Sequence, residues 1–137
     1  DGYCSDITRT VGFGHLTDEA TTIYETVFKA QLEAVNRCKP GVEIGSLDRT
    51  ARSIITEAGY GSYFTHRLGH GLGIEVHEYP SMNETNTMVL QKGMSFTIEP
   101  GIYVPGVGGV RIEDDIYITD DSFELLTKYP KDLIIVK

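Results

Sequence analysis

Leu68-Gly69-His70-Gly71-Leu72-Gly73-Ile74-Glu75-Val76-His77-Glu78 is the stretch around which this chain is organised. Its eleven residues hold two histidines, two carboxylates and three alternating glycines. His66 stands just before it, so three of the four histidines in the chain lie between 66 and 77. Neutral imidazole ligates metals and carries protons near neutral pH. Glycine at 69, 71 and 73 is expected to supply positive φ and to let the backbone approach a ligand closely. A lone histidine is usually structural, but three beside a glycine-rich turn shift that balance. A nucleotide cradle fits less well, because the spacing is not Gly-x-Gly-x-x-Gly and no Lys-Ser/Thr follows. The stretch therefore reads as the imidazole arm of a metal site whose acidic ligands arrive from elsewhere in the chain.

C-terminal to it, residues 81–93 are polar and irregular, with Met82 and Met88 expected as gap fillers. From residue 94 the pattern has period two. Met94, Phe96 and Ile98 alternate with Ser95, Thr97 and Glu99, and Pro100-Gly101 turns the chain. Residues 105–109 form a loop. Val110 and Ile112 then alternate with Arg111 and Glu113, on a strand expected to continue through Ile116 and Ile118. Leu133-Ile134-Ile135-Val136 reads as a closing strand.

N-terminal to it, residues 2–13 read as a strand. Tyr3, Ile7, Val11 and Phe13 occupy odd positions, and Cys4, Asp6, Thr8 and Thr10 share the even face. Aspartate is unfavourable within a strand. Asp6 therefore needs a metal or an arginine, or else lies on a solvent face. Thr17 is a helix N-cap, with Asp18 and Glu19 in the first turn. The helix it opens buries Ala20, Ile23, Tyr24, Val27, Gln31, Ala34 and Val35 and ends near Cys38. A second helix spans about Ser46 to Ala58, with Gly59 as its C′ residue. Both helices are assigned to packing. The mixture of helices and antiparallel-looking strands, without β-α-β alternation, indicates an α+β fold.

The 137 residues make one domain by length, with a core of ordinary size. Net charge is −8, which disfavours a nucleic-acid surface and leaves carboxylates free to act as ligands. Two cysteines, Cys4 and Cys38, are too few for a disulfide framework and read as reduced thiols of a cytoplasmic protein. No apolar run is long enough to span a bilayer, so no membrane partner is expected. The opening Asp1-Gly2-Tyr3, already in strand-like sequence, suggests that a preceding part of the domain is absent.

Asp6, His70, Glu99 and Glu113 emerge as candidate metal ligands, all on polar faces of strands or strand ends. One imidazole and three carboxylates form a hard, oxygen-rich set suited to Mn, Co, Fe or Zn, and unlike a thiolate zinc site. Four ordered motifs carry a family resemblance: Gly2-Tyr3-Cys4-Ser5-Asp6-Ile7-Thr8-Arg9-Thr10; His66 through Gly73 with Glu75-Val76-His77-Glu78; Phe96-Thr97-Ile98-Glu99-Pro100-Gly101; and Val110-Arg111-Ile112-Glu113-Asp114. With these the chain resembles the Xaa-Pro dipeptidases (prolidases) and aminopeptidase P. These are metallopeptidases of the pita-bread fold, which methionine aminopeptidase shares.

The resemblance implies a curved, mostly antiparallel sheet with helices on its outer face. Residues 1–137 would then be the C-terminal portion of a single catalytic domain. It implies two divalent metals per full-length site, Mn or Co before Zn or Fe. Asp6 and Glu113 would bridge the metals, and His70 and Glu99 would complete one of them. His66 and His77 would bind substrate and stabilise the tetrahedral intermediate, and Arg111 would orient substrate. Glu99 would also shuttle the proton of a metal-bridged hydroxide that attacks the bond preceding proline. The substrate would be a proline-containing di- or oligopeptide, and the full-length protein a homodimer.

The family pattern has a further aspartate ligand upstream of Asp1, which this sequence does not contain. The chain is therefore expected to bind one metal well and a second weakly, with little or no activity alone. Ser81 stands where some prolidases carry arginine, which leaves dipeptide-only selectivity open. A methionine aminopeptidase-like enzyme and a non-catalytic binding module on the same fold are the alternatives.

Overall fold

The structure is a computed structural model that describes residues 2–137. Asp1, the first residue of the opening triplet, lies outside the described residues. The elements follow one another as β1 (Gly12–Phe13), α1 (Asp18–Asn36), α2 (Ile44–Glu57), a 3-10 turn (Gly61–Tyr63), β2 (Gly69–Gly71), β3 (Glu78–Met82), β4 (Ser95–Ile98), β5 (Gly101–Val104), β6 (Gly108–Arg111), β7 (Asp114–Ile118), β8 (Phe123–Leu125) and β9 (Ile135–Val136).

Helix α1 starts where its cap residue dictates. The Thr17 hydroxyl accepts the Ala20 amide at 3.1 Å, and Asp18 and Glu19 lie against the exposed N–H groups of the first turn. Ile23, Tyr24, Val27, Ala30, Ala34 and Val35 form its buried stripe. Helix α2 begins two residues earlier than its sequence suggests. Glu43 is held in an isolated bridge to Val89, so the helix turns directly out of a paired segment and needs no side-chain cap. Gly59 follows it at φ +91°, as a C′ glycine should.

The main sheet has five strands in the order β3-β2-β4-β7-β8, and every pairing in it is antiparallel. β5 and β6 form a separate two-stranded hairpin, whose Ile102 and Val110 pack into the core. One apolar cluster joins Val27 and Ala30 of α1, Leu47 and Ile55 of α2, Phe96 and Ile98 of β4, and Ile116 of β7. Each such side chain contributes roughly 1.5–3 kcal/mol on burial. Met82 is fully buried and Met88 packs against this cluster, in keeping with gap filling.

Three sequence expectations are corrected. Residues 2–13 are extended but are not one strand. Pairing is confined to the Thr8–Glu113 bridge and to Gly12–Phe13, which lie parallel to Ile135–Val136. The odd-numbered row Tyr3, Ile7, Val11 and Phe13 is exposed, because no ladder covers it among the described residues. The strand expected from Val110 through Ile118 is two strands. It leaves the β5–β6 hairpin after Arg111 and joins the main sheet at Asp114, and Glu113 between them pairs with Thr8.

The glycines at 69, 71 and 73 have ordinary negative φ. At 69 and 71 glycine is required by neighbouring strands. A Cβ at Gly69 would stand 2.0 Å from the Thr97 carbonyl oxygen, and one at Gly71 would stand 2.4 Å from that of Tyr79. The alternating glycines thus let β2 press against both neighbours, which brings His70 deep into the sheet.

Candidate metal centre

His70 is buried in β2, with its ring orientation fixed from behind. Nδ1 lies 3.0 Å from the Gly71 carbonyl oxygen, which can only accept, so Nδ1 carries the proton. Nε2, the other ring nitrogen, points toward the carboxylates. It lies 3.2 Å from Glu99 Oε1 and 3.7 Å from Asp6 Oδ2. A metal-ligating imidazole is prepared in this way, by a backbone carbonyl that selects the tautomer.

Asp6, His70 and Glu113 each offer a donor atom, and these atoms all lie within 4.8 Å of one another. Glu99 lies beside this trio through its contact with His70. It comes from the end of β4, and its aim is set by Thr97 two residues before it. The buried Thr97 hydroxyl accepts the His70 amide at 3.1 Å and donates to Glu99 Oε1 at 3.0 Å. Asp6 is held through its backbone, whose amide donates to Asp115 Oδ2 at 3.0 Å.

Electrostatics match a cation site. Burial pushes the Glu113 carboxyl up to about 7, and the nearby Glu99 and Asp6 carboxylates push the same way. The Thr8 hydroxyl, which donates to Glu113, and the Arg111 guanidinium oppose the rise without cancelling it. Three acidic groups crowded beside one imidazole are costly together unless a proton or a metal ion neutralises them. Asp115 is also pushed up by burial, and its Oδ1 is a buried acceptor with no donor among the described residues. The residues present therefore fit a hard divalent cation, held by Asp6, His70 and Glu113 with Glu99 beside them.

The other candidates surround this cluster. The rings of His77 and His70 have centroids 4.3 Å apart, and His77 faces outward. His66 lies between Phe64, which meets it edge-on at 5.1 Å, and Tyr103, whose hydroxyl is 3.0 Å from His66 Nε2. Arg111 is exposed, with Nε 3.3 Å from the Thr8 hydroxyl and 4.0 Å from Glu99 Oε2. Burial alone would lower its pKa, but Tyr103, Glu99 and Glu113 outweigh that and hold it above the usual value. Ser81 receives a hydrogen bond from Arg67 at 3.1 Å. An apolar cavity of about 130 Å³ between α1 and the β6 end of the hairpin is lined by none of the cluster residues.

Sequence reasoning missed Thr8, Thr97 and Tyr103. Thr8 and Thr97 stood on the same polar rows as Asp6 and Glu99, a signal that was available. It also treated α2 as inert packing. In fact the fully buried Asp48 carboxylate of α2 accepts the Leu68 amide at 2.9 Å and is paired with Arg52 at 2.8 Å. Arg52 in turn donates to the carbonyls of Phe64 and His66, each at 3.0 Å. Helix α2 thus sets the path of the segment that carries both His66 and His70.

Residues 1–120 match the sequence profile of metallopeptidase family M24. The chain belongs to this family. It is 62% identical over 136 residues to YkvY of Bacillus subtilis strain 168, a protein provisionally named a dipeptidase; the match takes in 99% of this chain and 38% of YkvY. The Xaa-Pro dipeptidase of Bacillus anthracis superposes with a TM-score of 0.95 at 52% identity, over 98% of this chain and 38% of that one. The prolidase of Pyrococcus horikoshii OT3 gives 0.94 at 52% identity, over 97% and 38%. The chain thus spans under two-fifths of the length of these relatives. The expected partial pita-bread arrangement holds, with its mostly antiparallel sheet and two helices. No helix among the described residues is long and apolar enough to cross a membrane.

Proposed function

We propose that the natural protein containing these residues hydrolyses the bond before proline in Xaa-Pro dipeptides or Xaa-Pro N-termini. The observation that carries this reading is the convergence of Asp6, His70 and Glu113 within 4.8 Å. Solved relatives named as a prolidase and an Xaa-Pro dipeptidase, each 52% identical, support this substrate class. Residues 1–137 act in this reading as the C-terminal portion of a single catalytic domain.

Asp6 and Glu113 would hold two cations between them, and His70 and Glu99 would complete one. Bound divalent metal supplies acidity that makes hydroxide available near neutral pH and polarises the scissile carbonyl. Glu99 would accept a proton from the attacking water and pass it to the leaving amine. Its Oε1 is steadied by Thr97, and its Oε2 faces Arg111. His77, exposed beside His70, offers its imidazole to the developing oxyanion. His66, braced by Phe64 and Tyr103, and Arg111 orient the peptide.

Manganese or cobalt suits the carboxylate-rich set best. A cytoplasmic homodimer with two metals per site belongs to the same proposal. The 137 residues alone are expected to retain one metal, with little activity. Hydrolysis of Ala-Pro by the natural protein with Mn²⁺ or Co²⁺, abolished by a chelator and by His70→Ala, is the test. Turnover of Met-Ala in place of Ala-Pro would favour a methionine aminopeptidase-like enzyme. Binding of either peptide without turnover would favour a non-catalytic module.

A further inference from the structure

Arg9 contacts none of the candidate ligand side chains, yet it holds the backbone of two residues at the metal centre. Its Nη1 donates to the carbonyl oxygen of Thr8 at 2.9 Å and to that of Glu113 at 2.5 Å. Its Nη2 donates to Asp114 Oδ1 at 2.7 Å. The arginine side chain is nine-tenths buried and the Asp114 side chain is wholly so. The second oxygen of Asp114 is taken by Lys131 Nζ at 2.7 Å and Gln31 Nε2 at 2.9 Å. One planar guanidinium therefore joins the two chain segments at the point where the Thr8 hydroxyl donates to the Glu113 carboxylate. These segments lie 105 residues apart in sequence and share one isolated backbone bridge, flanked by the Thr10 hydroxyl against the Arg111 backbone and by the Asp6 amide on Asp115. At the bridge itself Arg9 takes the backbone carbonyls of both paired residues at once.

We propose that Arg9 is a positioning residue of the metal centre. It fixes the Thr8–Glu113 pair through both backbone carbonyls, and so aims the Glu113 carboxylate, with Asp114 as its buried anchor. The inference rests on the reading of Glu113 as a metal-bridging ligand. Its chemistry requires a fork: an ammonium group is a compact point charge and cannot reach both carbonyls and Asp114 in one plane.

The test is a Co²⁺ titration of the natural protein containing these residues, following affinity and the visible absorption of bound cobalt. Arg9→Lys and Lys131→Met are compared with the unaltered protein, and each is melted without metal. Arg9→Lys keeps a cation beside Asp114 but loses the fork. It is expected to weaken cobalt binding roughly ten- to hundred-fold, the usual scale for a group that supports a ligand, and to change the absorption band while Tm falls little. Lys131→Met leaves Thr8 and Glu113 untouched, so it is expected to lower Tm with affinity and band unchanged. Arg9→Gln is expected to show the same loss of affinity, and serves if the lysine variant does not fold.

Equal affinity and spectrum for Arg9→Lys and the unaltered protein would overturn the inference alone. So would an affinity that merely follows Tm across the variants. Failure of the unaltered protein to bind cobalt would overturn the metal-site reading and this inference with it.

Discussion

Thr8 and Glu113 face one another across an isolated antiparallel bridge, and the hydroxyl of one donates to the carboxylate of the other. This bond favours the charged form of a carboxyl that burial pushes toward neutrality. Thr8→Val keeps the shape and removes the donor. A hydrogen bond to a charged group contributes about 1.5 kcal/mol or more, so metal affinity at pH 7 should fall roughly tenfold. Calorimetric titration with Mn²⁺ measures it, and an unchanged affinity would show that the bond does not tune Glu113.

The raised Glu113 pKa gives the metal-free protein a pH dependence of definite sign. The folded state binds this proton more tightly than the unfolded chain, whose carboxyl titrates at its ordinary value of 4.5. The resulting stabilisation is complete below about 4.5 and is lost as pH rises through about 7. Melting in chelator between pH 4.5 and 7.5 should show this contribution declining, and Glu113→Gln should remove it. Added Mn²⁺ should reverse the trend, because the cation competes with the proton and binds more tightly as pH rises.

Gly69→Ala should be strongly destabilising although the backbone conformation there is ordinary. The added carbon would meet the carbonyl of Thr97, which belongs to a paired strand and cannot swing aside. Overpacking of this kind costs about 1–3 kcal/mol. Urea unfolding should place the midpoint well below that of the unaltered protein. Gly59→Ala, at a helix end with open space around it, should carry only the strain of its positive φ.

Arg52→Met leaves the buried Asp48 carboxylate without its cation and frees the carbonyls of Phe64 and His66. Breaking such a pair from one side costs about 3 kcal/mol or more. The double change Asp48→Leu with Arg52→Met should recover much of that loss. The His66 ring resonances should remain shifted in both variants, since neither restores the bonds to the 64–68 backbone. NMR of the imidazole protons alongside thermal melts separates the two effects.

Much of the architecture was legible because it obeys local rules. Thr17 caps α1 by its own hydroxyl, and the alternation from Met94 to Glu99 gave β4 and put Thr97 and Glu99 in one row. The candidate ligands Asp6, His70 and Glu113 stood out as polar groups where strand propensity disfavours them or where glycine crowds around them. What stayed hidden depends on partners distant in sequence. Nothing in residues 2–13 reveals that pairing stops after Thr8 and resumes only at Gly12, because that is decided by Glu113 and by the tail at Ile134–Val136. The glycines at 69 and 71 were correctly singled out for the wrong reason, since the crowding comes from Thr97 and Tyr79 across the sheet. Nothing local to α2 marks Asp48 as buried, and only the fold shows the Leu68 amide that its carboxylate accepts.

The bridge between Thr8 and Glu113 also orders events during synthesis. Asp6 is among the first of these residues to leave the ribosome, and Glu113 follows more than a hundred residues later. No nascent chain short of Glu113 holds the full set of candidate ligands. Closing so long a loop is slow relative to forming α1 and α2. If Asp6, His70 and Glu113 hold a cation as proposed, its capture must wait until Glu113 has been made and the bridge to Thr8 has closed.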